Sequence, residues 1–198
     1  MTRDAVFVEA LRAGEGWAVE RLYREQAPRV LGWCIRLGGP RLDAEDLAQQ
    51  VFETALQRAG SFRGDSALST WLFGITRNTV RNARRRAALR RFVGMESVPE
   101  PRDPGPDAEA LAERTQLRRR VLQALERLKP LQREVLVLAD LEQRSAPEVG
   151  SLLGIPTGTV YSRLHHARRA FARALEREGL PAHQAEAGSS VLPFRRPS

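Results

Sequence analysis

A proline-rich, acidic stretch at residues 93–108 divides the chain into two parts that must fold separately. It reads Val-Gly-Met-Glu-Ser-Val-Pro-Glu-Pro-Arg-Asp-Pro-Gly-Pro-Asp-Ala and follows neither the helical nor the strand period. Because proline fixes φ and removes an amide donor, this composition favours an extended linker. Helical periodicity fills residues 1–92 and 109–178 on either side. The sequence therefore predicts an all-α fold of two small helical domains, followed at 179–198 by a polar, disordered tail.

The net charge of +8 is carried almost entirely by arginine, because Lys129 is the only lysine among 32 basic residues. Guanidinium groups bind phosphates and guanine edges in bidentate fashion. No apolar run reaches the ~18 residues of a membrane-spanning helix, and the N-terminus lacks the apolar core of a signal peptide. We therefore expect a cytoplasmic protein without direct membrane insertion. Cys34 is the only cysteine and is expected to be a buried thiol.

The clearest helix pattern covers residues 43–58. Its apolar residues recur at helical spacing and form one face, and Asp43 is placed to cap the N-terminus. Acids and amides line the opposite face. That face is either an ordinary solvated surface, a docking surface for a basic partner or, with least support, part of a metal-dependent nuclease site. Its members are Asp46, Gln49, Gln50 and Glu53, and the acids Asp43 and Glu45 precede them at the start of the helix.

An arginine-rich helix pattern without any Asp or Glu extends from Ser66 to Met95. Like charges at i and i+4 repel each other, so an uncompensated basic row is best explained by an external polyanion. Asparagines next to arginines add donors and acceptors suited to base edges. The pattern predicts a nucleic-acid-binding surface. The basic row comprises Arg77, Arg81, Arg84 and Arg85, with Asn78 and Asn82 beside it.

The second part of the chain has the spacing of a helix-turn-helix. Ser145 and Glu148 fit a capping box, residues 154–156 (Gly-Ile-Pro) fit a tight turn, and Thr157 is expected to cap a longer second helix. The N-terminal part of such a helix meets base edges, and the rest meets phosphates. Its outward side chains are Thr159, Tyr161, Ser162, Arg163, His165, His166, Arg168, Arg169 and Arg173.

These motifs, in this order, resemble those of bacterial sigma factors of the extracytoplasmic-function (ECF) group. Residues 43–52 (Asp-Ala-Glu-Asp-Leu-Ala-Gln-Gln-Val-Phe), 61–66 (Ser-Phe-Arg-Gly-Asp-Ser) and 70–78 (Thr-Trp-Leu-Phe-Gly-Ile-Thr-Arg-Asn) look like domain two of that family. Residues 128–136 and 153–164 look like its domain four, and the resemblance runs from about residue 7 to 178.

The resemblance implies a sigma factor that binds core RNA polymerase, reads the −35 and −10 promoter elements and helps to melt the −10 region. The acidic face of residues 43–53 matches the helix that docks on the β′ clamp helices, and domain four would also contact the β flap. An anti-sigma factor becomes an expected partner. The loop after residue 61, with Asn78, would capture a flipped −10 base. The residues implied for the −10 element are Phe62, Arg63, Trp71, Arg77, Asn78, Arg81, Asn82, Arg84 and Arg85. Those implied for the −35 element are Thr157, Thr159, Tyr161, Ser162, Arg163, His165, His166, Arg168 and Arg169.

Two other functions are weighed against this one. A stand-alone helix-turn-helix regulator would need a ligand or dimerisation domain where this chain has a second arginine-rich surface. A nucleic-acid enzyme would need a Walker loop, a metal cluster or a nucleophile–base pair, none of which the sequence offers, so we predict no catalytic residue, metal or cofactor. Gly150 stands where the family usually has alanine, which predicts a cost of around 1 kcal/mol in helix stability.

Overall fold

A computed structural model describes residues 3–62, 64, 67–92 and 108–180 of the chain. The described residues form helices and the turns between them, with no β-strand among them, and the all-α prediction is confirmed. The first part contains helices α1 (Arg3–Ala13), α2 (Gly16–Gly38), α3 (Ala44–Gln57) and α4 (Leu68–Phe92), with a 3-10 turn at Ala59–Ser61. The second part contains α5 (Ala108–Glu126), α6 (Pro130–Leu136), a π-helical turn at Val137–Leu141, α7 (Ala146–Leu153) and α8 (Thr157–Arg177).

Helices α1 to α4 form one compact unit, and α5 to α8 form another. In the first unit α2, α3 and α4 pack against one another, and α1 packs on α2 and on the 3-10 turn. The core includes Trp33, which is 2% exposed and meets Phe73 edge to face with ring centroids 5.1 Å apart. Cys34 is fully buried as predicted, and burial raises the pKa of its thiol to about 12.

The C-terminus of α2 is capped by an arginine from α4. Arg84 Nη1 donates to the carbonyl oxygens of Gly38 at 2.9 Å and of Leu37 at 3.4 Å. Terminal helix carbonyls have no partner within their own helix and carry partial negative charge, so a guanidinium there satisfies and stabilises them. Arg84 therefore joins two helices of the first unit.

In the second unit α5, α6 and α7 all pack on α8. A buried arginine holds the end of α5: Arg133 is 2% exposed. Its Nε donates to Leu125 O at 2.6 Å, and its Nη2 donates to Glu126 O at 2.6 Å and to Leu128 O at 3.3 Å. These bonds satisfy carbonyls where the chain leaves α5, which is how a charged side chain is accommodated inside the unit.

The two predicted irregular segments lie largely outside the described residues. Of the predicted linker only Ala108 is described, and it begins α5. Of the predicted tail only Gly179 and Leu180 are described, and they follow the C-terminus of α8: Gly179 has φ +75°, and the Leu180 N–H donates to Leu175 O at 2.9 Å. The domain boundaries otherwise stay predictions.

Candidate nucleic-acid interface

The helix-turn-helix begins with the predicted capping box. The Ser145 backbone N–H donates to Glu148 Oε2 at 2.9 Å, and the Ser145 hydroxyl donates to the same oxygen at 2.7 Å. These hydrogen bonds lower the pKa of the Glu148 carboxyl below its ordinary value. Pro147 sits in the first turn, where its missing N–H costs little. The start of α7 is thus fixed by local sequence.

The turn between α7 and α8 follows the prediction at one end and departs from it at the other. Gly154 ends α7 in the left-handed region, with φ +65°. The expected cap at Thr157 is wrong, because Pro156 is the N-cap and Thr157 is already the first helical residue. The Pro156 carbonyl accepts from the N–H groups of Thr159 at 2.9 Å and Val160 at 3.1 Å. Thr157 is half-buried at the start of the helix rather than capping it.

Gly150 lies where α7 approaches this turn most closely. The Ile155 N–H donates to Gly150 O at 3.0 Å, and a methyl group on Gly150 would lie 2.8 Å from the Ile155 carbonyl oxygen. That separation is too short for carbon and oxygen without a shift of the turn. The glycine therefore allows a close approach, which the sequence-based argument from helix propensity missed.

The outward face of α8 keeps most of its predicted side chains accessible. Tyr161 is 63% exposed. Thr159 and Arg163 are half-buried. The Nη1 atom of Arg163 is buried and has no hydrogen-bond partner among the described residues. The rings of His165 and His166 meet edge to face with centroids 5.6 Å apart. The exposed members of the face are Tyr161, Ser162, His165, His166, Arg168 and Arg169.

One predicted phosphate contact on α8 is already engaged within the unit. Arg168 donates from Nε to Asp140 Oδ2 at 3.0 Å and from Nη2 to Asp140 Oδ1 at 2.6 Å. This bidentate pair raises the pKa of Arg168. Asp140 lies in the π-helical turn and was not singled out from the sequence, because 28 residues separate the partners. Arg168 is a predicted DNA contact, but in the structure it forms an ion pair within its own unit.

In the first unit, the predicted row on α4 separates into two groups. Asn78, Arg81, Asn82 and Arg85 are exposed, whereas Arg77 is half-buried. Arg84 is predicted to belong to the basic row, but its guanidinium caps α2 and does not belong to the exposed row. The exposed row keeps its positive charge, since no carboxylate of the described residues forms an ion pair with Arg81 or Arg85. It provides a basic surface with amides beside it.

The loop predicted to capture a base begins at a buried aromatic residue. Phe62 is 4% exposed, and its ring packs on Trp71 with centroids 4.9 Å apart. The ring of this predicted −10 residue is therefore covered within the unit, and its assignment to the −10 element stays a prediction. Trp71 is half-buried, and Arg63 lies outside the described residues.

The acidic face of α3 is exposed along its whole length. Asp43 accepts from the N–H groups of Glu45 at 2.9 Å and Asp46 at 3.1 Å, which confirms it as the N-cap. An aromatic residue that sequence reasoning missed lies beside the face: Tyr23 of α2 stacks on Phe52 with centroids 4.2 Å apart and is 38% exposed. Burial, then the charge of Glu53, raises the pKa of Tyr23. The exposed members of the acidic face are Asp43, Glu45, Asp46, Gln49, Gln50 and Glu53.

No group of three or more His, Cys, Asp and Glu side chains is arranged to hold a metal ion in the described ranges. Among the described helices, none combines the length and apolar character needed to cross a membrane.

Comparison with known proteins matches each unit to one family region. Residues 22–90 match the sigma-70 region 2 family, and residues 118–171 match the sigma-70 region 4 family. The chain is 30% identical over 186 residues to the RNA polymerase sigma-H factor of Pseudomonas aeruginosa, which covers 88% of this chain and 94% of that protein. It is 33% identical over 159 residues to the sigma factor CarQ of Myxococcus xanthus, and this match covers 80% of this chain and 89% of CarQ. It is 32% identical over 173 residues to the ECF sigma factor SigM of Mycobacterium tuberculosis strain H37Rv, covering 87% and 84%.

Two solved structures share the fold. The sigma factor RpoE of Bartonella quintana, solved with the anti-sigma factor NepR, aligns with a TM-score of 0.62 at 24% identity over 79% of this chain and 96% of that one. CnrH, solved with the cytosolic domain of CnrY, aligns with a TM-score of 0.59 at 22% identity. The alignment covers 87% of this chain and 96% of CnrH.

Two helical units, one with an exposed basic row and the other with a helix-turn-helix, and each matched by a sigma-70 region, define a sigma-70-type transcription factor. The chain belongs to the extracytoplasmic-function group of RNA polymerase sigma factors. It is an alternative sigma factor that directs transcription initiation, and the reading as a stand-alone regulator is not favoured. The sigma factor family consists of proteins that are not enzymes in the catalytic sense.

Proposed function

We propose that the three surfaces described above divide promoter recognition and polymerase binding among them. The acidic face of α3 docks on the β′ clamp helices of core RNA polymerase. The exposed row of α4 binds the −10 element, and the outward face of α8 reads the −35 element in the major groove while the second unit contacts the β flap. In this proposal residues 1–92 form the domain that docks on the polymerase and binds the −10 element. Residues 93–108 link it to the domain of residues 109–178, which binds the −35 element.

The exposed row of Asn78, Arg81, Asn82 and Arg85, whose two arginines pair with no carboxylate of the described residues, is the observation that carries this proposal. An uncompensated basic row costs helix stability unless a polyanion neutralises it. Arg81 and Arg85 suit phosphates, and the two asparagines suit base edges. A regulator that used only its helix-turn-helix would have no need for this second surface.

The decisive test is run-off transcription with purified core polymerase on candidate promoter fragments, including the region upstream of the protein's own gene. We expect promoter-specific initiation. Replacing Arg81 and Arg85 together by alanine should reduce open-complex formation and make its salt dependence shallower by about 0.7–0.9 per lost phosphate contact. Arg24→Ala, on the exposed surface of α2, is the matched control. An unchanged salt slope in the double variant would reject the −10 assignment, and a lack of initiation on any promoter would favour the regulator.

The docking assignment has its own test. Asp46→Arg combined with Glu53→Arg reverses two charges on the exposed face of α3 and should weaken binding to core polymerase more than tenfold, because like charges at an interface cost several kcal/mol. Glu9→Arg on α1 reverses one charge elsewhere on the same unit and serves as the control. Equal core affinity for all three proteins would mean that this face does not dock.

From the membership in the sigma factor family, we infer that the protein is cytoplasmic and not an enzyme. We also infer that an anti-sigma factor can hold it inactive, including at the inner membrane. The similar proteins RpoE and CnrH were solved in complexes with NepR and with the cytosolic domain of CnrY, and this supports the inference. Co-purification of a partner that blocks core binding, and that is lost on induction, would test it.

A further inference from the structure

The last turns of α4 extend beyond the core of the first unit. The inward side chains of this helix are buried as far as Ala83, which is 9% exposed, whereas residues 88–92 are all exposed. Two of these exposed residues are large and apolar: Leu89 is 64% exposed and Phe92 is 90% exposed. They are the most exposed large apolar side chains in the part of the chain that the structure describes. Spaced at i and i+3, they form an apolar pair on the helix surface.

The apolar pair lies on the same face of α4 as the exposed basic row. At about 3.6 residues per turn, the row and the pair together fall within an arc of about 100° around the helix axis. With a rise of about 1.5 Å per residue, Phe92 lies about 10 Å beyond Arg85, a distance of roughly three base pairs of DNA. The pair therefore continues the row toward the C-terminus of α4. In order along the helix, this face comprises Asn78, Arg81, Asn82, Arg85, Leu89 and Phe92.

The charges around the pair indicate which kind of partner covers it. Arg86, Arg90 and Arg91 are exposed near Leu89 and Phe92, and α4 contains no Asp or Glu. Such a cluster of like charges is stabilised by a polyanion. A helix that lies on an anionic membrane needs an apolar face along its whole length, but this face carries asparagine and arginine over its first turns. Nucleic acid is therefore the partner that suits both the charges and the continuous face.

A DNA duplex offers few apolar atoms to such a pair. On the base edges of the major groove, the apolar group is the 5-methyl group of thymine, and phenylalanine is one of the side chains that contact it. Unpaired bases offer their ring faces, which suit an aromatic ring but not the branched side chain of Leu89. A leucine next to a phenylalanine thus favours thymine methyl groups in a duplex.

We propose that Leu89 and Phe92 contact thymine methyl groups in the duplex that flanks the −10 element and so add a sequence preference outside that element. This inference rests on the proposed −10 function of the exposed row of α4. The neighbouring arginines hold the phosphates, and the apolar pair reads the base edges. The pair thereby gives the end of α4 a part in promoter selection.

The test uses the full-length protein with core polymerase on the promoter selected by transcription. Thymine is placed at one position at a time, on either strand, in the duplex on both sides of the −10 element. Open-complex formation is then compared with deoxyuridine at the same position, because deoxyuridine keeps the hydrogen-bonding groups and lacks only the 5-methyl group. Loss of the methyl group at the contacted position should reduce open-complex formation about fourfold, the factor for one buried group of that size, and other positions should show no change.

Variants of the pair show whether the protein side of this contact is correct. Phe92→Ala should abolish the difference between thymine and deoxyuridine at the contacted position and should lower opening of the thymine promoter by a similar factor. Phe92→Leu keeps an apolar side chain and should retain part of the difference. Val6→Ala shortens an exposed apolar side chain of α1 and should behave like the unmodified protein. Because Phe92 is exposed, its replacement should leave the affinity for core polymerase unchanged.

The possible outcomes keep this inference distinct from the proposed function. Equal opening with thymine and deoxyuridine at every position would overturn the inference, and so would a difference that survives in a Leu89→Ala, Phe92→Ala double variant. A loss of core affinity in that double variant would overturn it as well, because the pair would then belong to a protein interface. If the thymine effect is absent while the Arg81/Arg85 variant is defective, the −10 assignment stands and only the role of the pair falls. If the Arg81/Arg85 variant opens the promoter normally with an unchanged salt slope, the −10 assignment itself fails.

Discussion

The Cα of Gly150 faces the carbonyl oxygen of Ile155 so closely that an added methyl group would lie 2.8 Å from it. Gly150→Ala gains helix propensity but forces α7 away from the turn, and overpacking of this kind costs about 1–3 kcal/mol. We expect faster amide hydrogen exchange in α7 and α8 of this variant, measured on the full-length protein.

Gly158 offers a matched control for that substitution. It also lies in a helix of the second unit, but a methyl group there would meet nothing within 4 Å. Gly158→Ala should leave exchange in α7 and α8 unchanged or make it slower. If both variants behave alike, the close approach at Gly150 does not constrain the turn.

The pair formed by Arg168 and Asp140 should limit binding of α8 to DNA. While Asp140 occupies the Nε and Nη2 edge of the guanidinium, that edge is not available to a phosphate. Asp140→Asn should therefore tighten binding to a −35 duplex and steepen the salt dependence, with a change of about 0.9 in slope for one added phosphate contact.

A double-mutant cycle separates this effect from a general change of charge. In an Arg168→Gln background, Asp140→Asn should bring little further gain, since the cation that it would release is gone. The idea fails if Asp140→Asn tightens binding equally in both backgrounds, because the carboxylate would then act only through repulsion of DNA.

Gln143 is strained in a way that a single substitution can relieve. It is the only residue other than glycine with a positive φ, +53°, in the described part of the chain. Left-handed backbone costs a non-glycine residue roughly 1–2 kcal/mol, so Gln143→Gly should stabilise the second unit by about 0.5–1 kcal/mol once the entropy of glycine is counted.

The side chain of Gln143 makes one bond that must be distinguished from this strain. Its Nε2 donates to Asp140 O at 2.6 Å. Gln143→Ala removes that bond but keeps the strained backbone and should destabilise the unit slightly. The stability of the second unit, measured from the denaturant dependence of hydrogen exchange, should therefore be highest with glycine at position 143, intermediate with glutamine and lowest with alanine. Any stabilisation by alanine would contradict the strain argument.

Burial of Cys34 predicts a loss of stability at high pH. The thiol ionises near its ordinary value of 9.0 in the unfolded chain, but burial raises its pKa to about 12 in the folded protein. Below pH 9.0 both states hold the proton, and the contribution of the thiol is fully present. Between 9.0 and about 12 only the unfolded state releases it, so the unfolding free energy should fall by about 1.4 kcal/mol per pH unit from this group.

Cys34→Ala isolates that contribution from other titrating groups. The difference in unfolding free energy between the unmodified protein and the variant should be constant below pH 9.0 and shrink above it. A difference that stays constant across the alkaline range would show that the thiol is neither buried nor shifted in solution.

The sequence predicted the helices and their apolar faces well, because these follow from local periodicity. Asp43 as N-cap, the Ser145–Glu148 capping box and the Gly154 turn are all interactions between neighbours in the chain. Capping by Thr157 failed because Pro156 takes that place.

The errors at the candidate site come from long side chains that reach across the fold. Spacing placed Arg84 and Arg168 on basic faces, but each guanidinium finds a partner on a distant segment, at Gly38 and Asp140 respectively. The resemblance assigned Phe62 to the −10 element, and its ring is covered by Trp71. Helical periodicity gives the direction of a Cβ and does not give the end point of a flexible side chain.

All three tryptophans of the chain, Trp17, Trp33 and Trp71, belong to the first unit, and the second has none. Intrinsic emission excited selectively at tryptophan is therefore a label for the first unit alone. Quenching on addition of single-stranded promoter DNA would report on the neighbourhood of Trp71, whereas a −35 duplex bound by α8 would leave that signal unchanged. Engagement of the two promoter elements can thus be timed separately without attaching a dye.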